Sequence, residues 1–90
     1  MSDQIIDAAM APGLHADACR DHAIVGWIVM KNPPDHPGKF TARLATNRPS
    51  PYVLIGDTLA AIQEQLPPGL VRTDRQPVAP PEVVEIWFAK

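Results

Sequence analysis

Apolar residues in this chain come in short clusters separated by proline, and each cluster has its own period. The longest uninterrupted cluster, Ala23 to Met30, is rich in β-branched and aromatic residues and contains no proline, so it predicts a strand. It is far too short to cross a membrane. Its alternate positions are Ile24, Gly26, Ile28 and Met30 on one side and Val25, Trp27 and Val29 on the other. Both sets are apolar, as in a central strand covered on both faces. Lys39 to Thr46 alternates cleanly, with Phe40, Ala42 and Leu44 inward and Lys39, Thr41 and Arg43 outward. It predicts a second strand, antiparallel to the first across the polar loop Lys31 to Gly38.

Further along, Asn47 to Pro51 reads as a turn whose Arg48–Pro49 and Ser50–Pro51 bonds are open to either isomer. Tyr52 to Ile55 is a brief extended stretch. Asp57 or Thr58 then caps a helix to about Leu66, with Leu59, Ile62 and Leu66 on one face and Gln63 pointing away, and Pro67-Pro68-Gly69 ends it. Leu70 to Glu82 reads as an extended, turn-rich arm anchored by Leu70 and Val71. Val83 to Phe88 predicts the last strand, with Val84, Ile86 and Phe88 on one face and Val83 and Trp87 on the other. At the other end, Ser2 starts a short helix that Pro12-Gly13 stops near Ala11. Residues 1–22 read as an N-terminal tail, either mobile or ordered by a partner, ahead of one compact domain over 23–90.

The fold class expected is α+β: a small, mainly antiparallel sheet of three strands, or four if residues 52–55 join, with one helix on one face. A right-handed crossover through the helix places the most apolar strand in the middle, antiparallel to both neighbours. One helix covers only one face. If it packs on the opposite parity, Val25, Trp27, Val29, Val83 and Trp87 form an uncovered interaction face. A protein partner is then expected, and a homodimer first, with exchange of the Val83–Phe88 strand as one way to build it.

Composition narrows the functions. The chain is 46% apolar and 20% charged with a net charge of −2, so it has no overall attraction to nucleic acid or an anionic membrane. Its single cysteine excludes an internal disulfide, and with no basic, apolar leader at the N-terminus the cytoplasm is the expected home. Eleven prolines punctuate the pattern rather than fill a low-complexity segment.

Chemistry is sparse. His15, Cys19 and His22 form H-x-x-x-C-x-x-H, which places imidazoles and a thiol on one side of a helix. The spacing matches no closed zinc site, so no metal and no cofactor is expected. Cys19 lacks a positioned base and orienting group for nucleophilic catalysis. Asp35 and His36 in the proline loop are a candidate loop site, and Arg43, Arg48 and Arg72 a candidate anion-binding set if they meet at one strand end. No residue is assigned a catalytic role. The expected function is therefore non-enzymatic protein contact or self-association. The alternative is a small-molecule or anion-binding module, with an enzyme as one form of it, built on the 31–38 loop and the nearby arginines.

The run P-P-D-H-P-G-K-F-T-A-R-L-A-T-N-R-P-S-P-Y-V-L-I-G-D-T-L, with L-P-P-G-L and the terminal V-V-E-I-W-F, is similar to small hypothetical bacterial proteins of unknown function over roughly residues 23–88. The resemblance implies no activity, substrate or site residue.

Overall fold

A computed structural model gives the architecture and describes residues 4–34, 36–46, 49–67, 69–73 and 83–89. The elements are β1 (Gln4–Ile6), α1 (Ala11–Asp21), β2 (Gly26–Lys31), β3 (Phe40–Ala45), β4 (Pro49–Gly56), α2 (Leu59–Gln65), β5 (Leu70–Thr73) and β6 (Val83–Ala89). They form one six-stranded sheet in the order β1-β4-β3-β2-β6-β5. β1 runs parallel to β4, and every other neighbouring pair is antiparallel. The α+β class stands, but the expected sheet of three or four strands with one helix is overturned by a mixed six-stranded sheet with two helices. Within it, β2 does lie between β3 and β6 and antiparallel to both.

The extra elements come from segments whose local signals point elsewhere. Residues 4–21, set apart in the sequence as part of a tail, supply β1 and α1. Pro12 opens a helix rather than stopping one: α1 has proline in its first turn, where the missing N–H would have no partner anyway. The Asp7 carboxylate turns the chain into it by accepting from the N–H groups of Ala9 and Met10 at 3.0 and 2.9 Å. β4 begins in a Pro-Ser-Pro run that reads as a turn. Prolines leave gaps in a ladder, and polar side chains fill in here: Ser50 Oγ donates to the Leu44 carbonyl at 2.6 Å, and Arg43 Nη1 donates to the Ser50 carbonyl at 3.0 Å. No cis peptide bond occurs among the described residues.

Of the two caps the sequence offers for α2, Thr58 is the one used: its Oγ1 accepts from the Ala61 N–H at 3.1 Å. Both helices pack on the same face of the sheet. Ala11 of α1 and Ile62 of α2 join Ile6, Val25, Trp27, Val29, Ala42, Leu44 and Leu54 in one buried cluster. This is the tryptophan parity of β2, so the helices cover the side expected to stay open. Two indoles beside β-branched neighbours offer the larger apolar area, and covering that side first removes the most of it from water.

Cross-strand register then assigns the residues of the opposite face: Val71, Phe88, Gly26 and Ala45 in one row, Thr73, Ile86, Ile28, Arg43, Val53 and Ile5 in the next. No helix among the described residues lies over it. A bulge shifts the β2–β6 register between Val29–Glu85 and Met30–Val83, and one extra residue reverses the alternation beyond it. Val84 therefore packs against the helix-covered cluster, while Val83 is buried outside that cluster.

Candidate functional site

Trp27 is fully buried under α1, and its indole N–H needs an acceptor there. His15, on the inward side of α1, provides one: Trp27 Nε1 donates to His15 Nδ1 at 3.1 Å, with the rings tilted by 34° and their centroids 6.4 Å apart. Because an indole can only donate, Nδ1 must carry the lone pair, and the proton of the neutral imidazole sits on Nε2. That N–H faces Cys19 Sγ at 3.5 Å. Burial holds the His15 pKa below the usual imidazole value. The arrangement suits neither use of this cluster weighed from sequence. A metal at Nε2 would need the other tautomer, whose Nδ1–H would confront the indole N–H. A thiolate–imidazolium pair would need the same extra proton. Among the described residues no group of three or more His, Cys, Asp or Glu side chains could hold a metal.

A second polar centre lies at the other end of the covered face. Glu85 on β6 is 7% exposed and both its carboxylate oxygens are bonded. Gln63 Nε2 of α2 bridges them at 3.1 and 3.2 Å, Trp87 Nε1 donates to Oε1 at 3.1 Å, and Arg72 Nη1 of β5 donates to Oε2 at 3.1 Å. Burial alone would raise the Glu85 pKa. The bonds from Gln63, Trp87 and Arg72, with the charge of Arg72, outweigh it and leave the carboxyl below its usual range. Sequence reasoning missed this centre because Gln63 looked solvent-directed. The signal was available in β6, where an acid alternates with Val83 and Trp87 on the face expected to be apolar.

The sequence-derived sites fare as follows. Val25, Trp27 and Val29 are core residues beneath the helices, Val83 is buried, and Trp87 is half-buried and tied to Glu85, so these five do not form an open face. β6 closes between β2 and β5 of its own chain. Arg72 shares its face with Trp87, whereas Arg43 lies opposite Ile28 on the other face, so the sheet separates these two arginines. Arg48 and Asp35 lie outside the described residues. His36 sits in a loop closed on itself: its N–H bonds the Pro33 carbonyl, Asn32 Oδ1 accepts from Gly38 N–H at 2.7 Å, and both Asn32 and Gly38 have positive φ. Lys39 pairs with Asp57 beyond the loop.

Two surfaces not foreseen remain. An open cleft of about 530 Å³ runs between the C-terminal half of α1 and the adjoining ends of β3 and β4. Leu14, Ala18, Leu44 and Tyr52 line its apolar part, and Asp17, Asp21, His22, Thr46 and Ser50 its polar part. Arg20 bridges Asp17 and Asp21 at 3.3 and 3.6 Å. The other surface is the helix-free sheet face, where Ile5, Val71 and Phe88 are 50%, 45% and 39% exposed, beside Ile24 at 63%. Among the described residues no helix is long and apolar enough to cross a membrane. No family model, curated protein or solved structure matches this chain.

Proposed function

We propose that the chain is a non-enzymatic domain that acts by protein contact, using the helix-free face of its sheet. One observation carries this reading: both helices cover the tryptophan side, which leaves the cross-strand pair Val71 and Phe88 exposed on the other side, with Ile24 exposed two residues before the Gly26 that pairs with Phe88. Exposed apolar side chains that adjoin one another mark contact surfaces, whereas scattered ones do not. The polar centres support the same reading, since the partners of His15 and Glu85 are consistent with structural roles and leave neither group presented to a substrate. A reducing compartment, the cytoplasm, suits a chain whose one cysteine is exposed.

The test is site-specific photocrosslinking in the native host, with p-benzoylphenylalanine placed at Ile24 and, as a control, at exposed Ala16 of α1. A light-dependent protein adduct from position 24 and none from position 16 is the expected result. Equal adducts from both, or none from either, would overturn the reading.

A small-molecule site is a second reading, favoured by the cleft beside Tyr52 and Leu14. Its anion-binding form gains nothing from Arg43 and Arg72, which stand on opposite faces. A fragment screen by NMR with shifts confined to Leu14, Leu44 and Tyr52 would favour it.

A further inference from the structure

We infer that the occupant of the β5–β6–β2 part of the helix-free face is a second copy of this chain, packed about a two-fold axis. This rests on the protein-contact reading above and goes further by naming the partner.

The first argument is charge. Across β5, β6 and β2 the register places Val71, Thr73, Ile86, Phe88, Gly26 and Ile28 on this face, and none of them is ionisable. A partner presenting charges would have to desolvate them with nothing to pair against. The stripe therefore calls for another uncharged apolar surface. A two-fold axis supplies one by setting the stripe against itself, so that each contact occurs twice. The net charge of −2 adds little repulsion between copies.

The second argument is shape. Gly26 lets the Phe88 ring lie down over β2: a Cβ there would meet Phe88 Cδ1 at 3.1 Å and Cε1 at 3.3 Å. The ring thus lies along the sheet, and the surface stays low enough for a second sheet to approach at the usual spacing of about 10 Å.

The experiment is light scattering coupled to size exclusion over a range of concentrations. The wild type should show twice the 9.8 kDa of one chain. Val71→Lys and Ile24→Lys, each checked for native circular dichroism, should halve that mass, and Ala16→Lys on α1 should not. Ile24 precedes its strand, so its variant keeps the test sound if Val71→Lys unfolds. A wild type that is monomeric at every concentration overturns the second copy, as does a dimer that survives both folded lysine variants. If the monomer still crosslinks another protein from position 24, the contact reading stands and only the identity of the partner falls.

Discussion

The indole N–H of Trp27 is satisfied by one atom, Nδ1 of His15, 3.1 Å away across the interface between sheet and helix. The bond ties the most deeply buried aromatic of the sheet to a helix that contributes only Ala11 to the fully buried core. It also makes the docking of α1 sensitive to protons.

An imidazolium has no lone pair for the indole, and burial already disfavours the charge. His15 in the unfolded chain takes up its proton as pH falls below about 6.5, before the folded chain does. Unfolding free energy should therefore fall from pH 7.5 to 5.5. Urea titrations at the two pH values should show a larger loss for wild type than for His15→Gln, whose amide oxygen can accept the indole N–H without titrating. Equal losses would contradict the assignment.

The same bond fixes a tautomer. Long-range nitrogen–proton NMR should place the His15 proton on Nε2, and zinc added to the folded protein should leave the His15 and Cys19 signals unmoved.

Glu85 carries the opposite dependence on burial and bonding. Its folded pKa lies below the unfolded value, so its contribution is complete above about pH 4.5 and is lost as pH falls through the folded pKa. Glu85→Ala strips Gln63 and Trp87 of their acceptor and should cost about 1.5–3 kcal/mol at pH 7, with little added by Arg72 because that partner is mostly solvated. Glu85→Gln should cost less and flatten stability between pH 5 and 3. Chemical denaturation at several pH values measures both.

Gly26→Ala places a methyl 3.0 Å from the Trp87 carbonyl oxygen and 3.1 Å from the Phe88 ring. The carbonyl belongs to a paired strand and cannot retreat, so the substitution should destabilise the fold by about 1–3 kcal/mol and lift Phe88 from the sheet. Thermal unfolding and the Phe88 ring shifts would report the two effects separately.

What could be read from the sequence follows from which signals are local. The strands β2, β3 and β6 and the Thr58 cap rest on alternation and capping within a few residues, and they are found where the pattern puts them. β1 is three residues long and carries no period of its own. α1 buries little besides Ala11, so it has no wide apolar stripe to announce it, and its proline reads equally as a stop or a start. β5 shows only Leu70 as an inward anchor. The covered face was misassigned because β2 is apolar on both sides, so its alternation alone does not choose between them, and both helices take the tryptophan side. The candidate sites failed for the related reason that parity, not proximity in sequence, separates Arg43 from Arg72, and that Glu85 finds Gln63 and Arg72 only after α2 and β5 are in place.

The parallel pairing of β1 with β4 also has a kinetic side. Neighbouring hairpins β2–β3 and β3–β4 close over short spans, but Ile6 must find Leu54 from the far half of the chain. Chain entropy is lost over that whole span before any contact rewards it. The amino-terminal strand and helix should thus be the last piece to lock during folding and the first to fray, with indole fluorescence of Trp27 as the natural reporter of that final step.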